Sequence, residues 1–240
     1  MSAGDTPLTG PEDLLTSVAE QLKVPLTAIA RQVELGDAID APGYAGAGVI
    51  HTQAMAALTL LDSYLLGLEL LRTQTELQLE PVSVPSLLVD TAHTLDRFAR
   101  HYGVHIELAT AGKYGPVMGH ARGLQAALLS LGFALVEAQA AGDPHKPRRL
   151  QLATHRTPRG IVTGMYGEYE LITAKHWRTA LALAGKARQP FTSLSSGSGA
   201  GLFVADTILR SMQSGLRVGR YQHLSGLAAT FQPSRQLQFV

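Results

Sequence analysis

The 240-residue sequence contains no cysteine, which excludes disulfide bonds, thiolate catalysis and cysteine-ligated zinc. It also lacks an excess of charge of either sign, since 20 basic residues are matched by 19 acidic ones. This balance creates no long-range field to attract nucleic acid or anionic lipid, so neither partner is expected. The densest basic group is a short turn that we interpret as a solvated surface: Lys146, Arg148 and Arg149.

Long apolar runs are absent as well. Residues 1–11 carry no positive charge and no apolar core, so we do not expect them to form a signal peptide. No stretch reaches the roughly 18 uninterrupted apolar residues that a spanning helix needs. We therefore expect no membrane partner and a cytoplasmic location, which suits a chain without disulfides. At 45% hydrophobic and 16% charged residues, the chain can bury a core.

The N-terminal third predicts a flexible tail over residues 1–12 and a helical hairpin over 13–78. Apolar residues recur at steps of three and four up to Val33, and Pro25 should bend this first helix. A glycine-rich loop over 36–48 precedes a second helix over 49–78. That helix carries two apolar strips, a heptad seam and a strip beside it: Leu58, Leu61, Leu65, Leu68 and Arg72, then Leu60, Tyr64 and Leu71.

This apolar face is wider than one partner helix can cover. Two hairpins packed into a four-helix bundle would cover both strips, so the hairpin is predicted to be a dimerisation domain. The alternative is that the same surface packs on the second domain of its own chain.

Residues 79–240 predict a single α/β domain, because strand and helix patterns alternate along them. The expected strands are 79–84, 104–108, 150–154, 160–166, 216–218 and 226–231. The expected helices are one capped by Ser86, then 119–140, 173–187 and 203–212. A sheet with helices on one side, preceded by a helical hairpin, gives an α+β fold class.

Several segments, in this order, resemble those of bacterial sensor histidine kinases. Residues 22–29 look like the phosphoacceptor box with its proline, and 197–202 match the second glycine box. Three further segments are similar to the entry of the ATPase-type domain, the asparagine-box helix and the phenylalanine box: 79–84, 118–138 and 190–191. The resemblance runs from about Leu14 to the end. It implies a dimeric four-helix bundle followed by an α/β sandwich of the histidine-kinase ATPase type.

The departures from this family remove its chemistry. The phosphoacceptor histidine corresponds to Glu20, and the acid beside it to Gln21. A glutamate cannot form the stable phosphoramidate that an imidazole forms, and Gln21 has no basic lone pair to accept a proton. The two asparagines that reach magnesium and the phosphates correspond to Ser130 and Ala134, which offer one hydroxyl between them.

The rest of the nucleotide pocket is also reduced. By resemblance, the family recognises the adenine amino group with an aspartate. At the corresponding place this sequence has no acid before Glu168, although Glu168 or Glu170 could serve. A glycine loop before a helix is retained and consists of Gly197, Gly199, Gly201 and Leu202. The free backbone amides at such a helix start could bind phosphate. Alternatively, the loop is a tight turn that allows the helix and the sheet to approach closely. Trp177 lies where the mobile lid of the family begins, and the aliphatic segment after it suggests fixed structure.

Nine histidines raise the questions of metal binding and phosphotransfer. His101 and His105 are four residues apart, but Gly103 between them favours a helix end over a ligand-bearing face, so no metal site is expected. His51 lacks an acid within one helical turn, which favours a surface histidine.

The resemblance and its departures together imply a degenerate, catalytically inactive dimer in two-component-type signalling. It would need no cofactor and would dock a response-regulator receiver domain or another signalling protein. By resemblance, the docking surface carries Glu20, Lys23, Thr27 and Arg31. One alternative is a protein histidine kinase that binds ATP and magnesium through rearranged residues. The other is a phosphotransfer adaptor that uses a histidine such as His51.

Overall fold

The computed structural model describes residues 26–29, 44–73, 78–110, 112, 114–140, 145–169, 175, 177 and 200–234. Within the first predicted helix, residues 26–29 are helical, and both Leu26 and Thr27 are exposed. The tail and most of the helix predicted over 173–187 lie outside these ranges. So do several predicted site residues: Glu20, Gln21, Lys23, Arg31, Gly197 and Gly199.

The described chain forms four long helices and seven strands. The helices are α1 (Tyr44–Thr73), α2 (Val84–His101), α3 (Ala121–Ala140) and α4 (Ala200–Ser211). The strands are β1 (Glu80–Val82), β2 (His105–Ala109), β3 (Val117–Gly119), β4 (Arg149–Thr157), β5 (Gly160–Gly167), β6 (Arg217–Tyr221) and β7 (Leu224–Phe231). A mixed five-stranded sheet has the order β2-β4-β5-β7-β6, in which only β2 and β4 pair in parallel. The predicted α+β class is confirmed.

The turn between β4 and β5 shows how local sequence sets the register. The predicted turn at residues 158–160 is confirmed, because β4 ends at Thr157 and β5 begins at Gly160. Gly160 has a φ of 136°, a conformation that side chains rarely adopt. The Thr157 hydroxyl closes the turn by donating to the Gly160 carbonyl and accepting from the Arg159 amide.

Several predicted boundaries were wrong. Helix α1 already includes Tyr44, which lies inside the predicted 36–48 loop, and Gln78, its predicted last residue, is not helical. The N-cap of α2 is Ser83, not Ser86, because Pro85 suits the first helical turn, where no amide proton is needed. Helix α4 begins at Ala200, which places Gly201 and Leu202 in its first turn instead of in a loop.

The short strand β3 was not predicted. It pairs antiparallel with β1, with Pro81 opposite Met118, and forms a separate two-stranded sheet. Three residues show too few alternations to be recognised as a strand from their sequence alone. The pairing ties the segment after α1 to the segment before α3.

Helix α3 is buried on both sides. Helices α2, α3 and α4 form a layer over the sheet, and α1 packs against this layer. Fourteen of the 20 residues of α3 are therefore buried. Among the described residues this is the one helix long and apolar enough to cross a membrane, but 83% of its most apolar window lies inside the protein. Burial against sheet and α1 accounts for its apolar composition.

The two apolar strips of α1 face in different directions. Leu60 and Tyr64 are 8% and 5% exposed and belong to the main core. On the heptad seam, Leu58 and Leu65 are 53% and 61% exposed, while Leu61 and Leu68 are half-buried. The second strip, which contains Leu60 and Tyr64, therefore packs on the domain of its own chain, as the alternative interpretation expected. The side chains of Leu71 and Arg72 lie outside the described residues.

Trp177 is anchored in the core. Its Nε1 donates to the Leu216 carbonyl at 3.1 Å, and its ring stacks on Phe203 with centroids 6.4 Å apart. The Leu216 amide in turn donates to Asp206 Oδ1 at 2.8 Å. Since Asp206 also accepts from Arg210 Nε at 2.7 Å, one buried carboxylate joins α4 to the start of β6. Trp177, where by resemblance the mobile lid of the family begins, is thus packed into the core. The aliphatic segment expected after it lies outside the described residues.

Candidate functional site

The face of α3 that carries Ser130 is turned toward α1 and α2. Ser130, Phe133 and Glu137 follow the spacing i, i+3, i+7 and so share one side of the helix. The Phe133 ring meets the Phe98 ring of α2 edge-on, with centroids 4.8 Å apart. Phe133 also lines a groove beneath α1. Ser130, which the resemblance assigns to the position of a magnesium-binding asparagine, is thus enclosed between helices.

The enclosed positions offer little to a nucleotide. Ser130 is 1% exposed, and its Oγ has no hydrogen-bond partner among the described residues. Ala134 is partly buried and packs against the core. Gly201 and Leu202 are buried in α4, which runs beside α3. The structure thus brings together the helices that carry the predicted remnant of the pocket, but these residues contribute packing.

Glu137 is a buried acid that the sequence analysis overlooked. It is 4% exposed, and burial raises its pKa to about 8. Its neighbour Tyr102 has a pKa raised to about 12, first by burial and then by the charge of Glu137. The fully buried Gln53 of α1 approaches Tyr102, but neither of its amide atoms makes a well-formed hydrogen bond among the described residues. The sequence did contain a signal for this residue, because Glu137 is the single acidic residue in the largely apolar sequence of α3.

Gln53, Tyr102 and Glu137 therefore form a polar cluster where α1, α2 and α3 meet. At neutral pH the raised pKa keeps Glu137 protonated, so the carboxyl group is a hydrogen-bond donor as well as an acceptor. A neutral acid of this kind reduces the cost of burying α1 against the domain.

His51 lines the groove between α1 and α2 together with Asp96. The sequence has no acid within one helical turn of His51, but the fold places Asp96 of α2 in the same groove. The carboxylate of Asp96 is already engaged, since Arg100 Nη2 lies 2.6 Å from its Oδ2. His101 is the last residue of α2 and His105 the first residue of β2. The helix end expected near Gly103 is therefore confirmed, and the two histidines do not share a helix face. Among the described residues no group of three or more acids and histidines could hold a metal ion.

Comparison with solved structures identifies the fold. No family model matches the sequence, and no curated protein does either. The histidine kinase AdeS of Acinetobacter baumannii superposes with a TM-score of 0.52 at 14% identity, over 90% of this chain and 98% of AdeS. Full-length ShkA, solved in complex with AMPPNP, superposes with a TM-score of 0.54 at 20% identity, over 93% of this chain and 46% of ShkA. The chain has a histidine-kinase fold.

The α/β fold of the histidine-kinase ATPase type that the resemblance implied is thereby confirmed. Identities this low say nothing about activity, which has to be argued from the residues themselves. In this histidine-kinase-like chain the acid nearest the expected adenine position is engaged elsewhere. Glu168 Oε1 accepts from Arg149 Nη2 at 3.2 Å. Arg148 donates to the Tyr102 carbonyl at 3.4 Å. Two residues of the basic turn thus have structural partners, and Glu170 lies outside the described residues.

Proposed function

We propose that the chain is a dimeric, catalytically inactive histidine-kinase-like protein that acts by docking a partner in two-component-type signalling. The observation that carries the proposal is the enclosed face of α3. Where the family places magnesium-binding amides, this chain has a buried hydroxyl at Ser130 and a methyl group at Ala134. Ala134 has no ligand atom for magnesium, and the single Ser130 hydroxyl, 1% exposed, is enclosed within the protein.

The phosphoacceptor position supports the same proposal from the sequence. Glu20 and Gln21 replace the histidine and its neighbouring acid, so neither the nucleophile nor the general base of the family is available there. A cytoplasmic location, without membrane or nucleic-acid partners, is part of the proposal.

The exposed seam of α1 supports a homodimer. Leu58 and Leu65 are two turns apart on the same stripe and more than half exposed, as expected for one seam of a helix bundle. Leu26 of the first helix is 56% exposed as well. A second copy of the chain, packed as a four-helix bundle, would cover this stripe.

The proposed docking surface for a receiver domain lies on the first helix. Of its residues Glu20, Lys23, Thr27 and Arg31, the structure describes Thr27, whose side chain is exposed. The others remain assigned by resemblance. Mixed charge of this kind favours fast and specific association with a complementary surface.

The first prediction concerns nucleotide. Isothermal titration of the full chain with AMPPNP and magnesium is expected to give no binding heat, because Ala134 has no ligand atom and the Ser130 hydroxyl is buried. ShkA, solved with AMPPNP bound, is the positive control. Micromolar binding that Gly199→Val abolishes would contradict inactivity of the pocket. It would favour the alternative, a histidine kinase with a rearranged active site.

The second prediction concerns docking. A panel of receiver domains is titrated against wild type, Lys23→Glu and the charge-matched control Lys175→Glu, whose site is exposed. Reversing the charge on the docking face should weaken binding by about tenfold, whereas the control should leave it unchanged. Equal affinities for all three would remove Lys23 from the surface. Acid-labile phosphate on His51 after incubation with a phosphorylated receiver would instead establish a phosphotransfer adaptor.

A further inference from the structure

A groove of 470 Å³ runs between α1 and α2. Its walls belong to different parts of the chain, since α1 is the predicted second helix of the hairpin and α2 lies in the ATPase-type domain. His51 and Met55 stand on the α1 side, and His93 and Arg97 on the α2 side. A molecule in this groove would contact both elements at once.

The floor of the groove is apolar. Phe98 and Phe133 line it and are buried, with their rings packed edge to face. Ala56 lies beside them, and the flexible Met55 side chain, 48% exposed, stands at the edge. Aromatic and thioether groups of this kind suit a planar or aliphatic ligand body.

The rim of the groove favours an anion. Its charged side chains are Arg97 and Asp96, and the charge of Asp96 is offset by Arg100 at 2.6 Å. Within the described part of the chain, Arg97 has no carboxylate partner. The imidazoles of His51 and His93 add N–H donors on opposite walls.

We propose that this groove binds a small organic anion with an apolar body, such as an aromatic carboxylate or sulfonate. The apolar body would lie on Phe98 and Phe133, and the anionic group would accept hydrogen bonds from Arg97 and the two histidines. Because the ligand contacts both walls, it binds only when α1 is docked on α2. Binding therefore stabilises the docked arrangement. This function is separate from the proposed docking of a receiver domain on the first helix.

The test uses 8-anilinonaphthalene-1-sulfonate as the anionic probe and N-phenyl-1-naphthylamine as its neutral counterpart. Fluorescence titrations compare the full-length wild type with Arg97→Gln, Met55→Ala and a control, Arg122→Gln, at an exposed position of α3 outside the groove. Arg97→Gln should weaken sulfonate binding by about tenfold and leave the neutral probe unchanged. Met55→Ala should weaken both probes, and the control neither.

The location is checked by NMR, in which the imidazole signals of His51 and His93 should shift on addition of the sulfonate. Sulfonate binding that none of the variants changes would overturn the proposal and place the dye on another apolar surface. Equal loss of both probes in Arg97→Gln would also overturn it, because the arginine would then act through packing instead of charge.

Discussion

Raising the pH from 4.5 to 8 is expected to lower the free energy of unfolding by on the order of 5 kcal/mol through the single side chain of Glu137. Its pKa is about 8 in the folded protein, against 4.5 for the ordinary group, because burial disfavours the carboxylate. Below pH 4.5 the group is protonated in both the folded and the unfolded state, and the stability is complete. Between the two values only the folded state holds the proton, so each further pH unit destabilises it.

Glu137→Gln is the variant that checks this expectation, since it keeps the shape and removes the charge. It should be more stable than wild type at pH 8 and should flatten the pH profile. The control Glu80→Gln changes an exposed glutamate and should retain the wild-type profile. Denaturant unfolding at several pH values, followed by fluorescence of the single tryptophan, Trp177, gives the measurement.

A residual slope of the same sign is expected in every variant, because burial also raises the pKa of Asp206. This effect exceeds the opposing influence of Arg210 and of the Leu216 amide. Parallel profiles for wild type and Glu137→Gln would show that Glu137 is charged in the folded protein and would contradict the prediction.

The double variant Leu58→Asp and Leu65→Asp is expected to convert the proposed dimer into a monomer. Covering a fully exposed leucine contributes up to about 3 kcal/mol, so covering one that is little more than half exposed contributes about 1.5 kcal/mol. For the four leucines of a dimer this is about 6 kcal/mol, so the dissociation constant should rise by about 10⁴-fold. The monomer itself should stay folded, since both side chains are more than half exposed on α1.

Sedimentation velocity at micromolar concentration measures the change directly. Leu108→Asp is the matched control, because this leucine is 45% exposed on the edge strand β2, away from the seam. The control should remain a dimer. A wild-type chain that sediments as a monomer at these concentrations would refute the homodimer, whatever the variants do.

The pattern of residues was enough to predict the main elements. The turn at 158–160 and the strands β4 and β5 follow from local alternation and a glycine requirement, and both were found near the predicted positions. Boundaries failed where glycine was taken as a loop signal. At the start of α4, Gly201 lies inside the helix, because packing against α3 overrides its weak helix propensity.

The candidate site divides in the same way. The proposal that Ser130 and Ala134 stand where the family has magnesium-binding asparagines follows from the sequence. Their enclosure does not, because it depends on where α1 packs. Nor could any spacing along the chain place His51 and Asp96 on one groove, since they lie on different helices.

The sequence by itself thus determined the α+β class and the histidine-kinase-like order of elements. These depend on which residues are present and on their local periodicity. Tertiary structure alone decided which strip of α1 is buried, why most of α3 is buried, and that Glu137 holds its proton at neutral pH. The physical reason is that burial is a property of the neighbours from distant segments, which remove water from a side chain whatever its own sequence context.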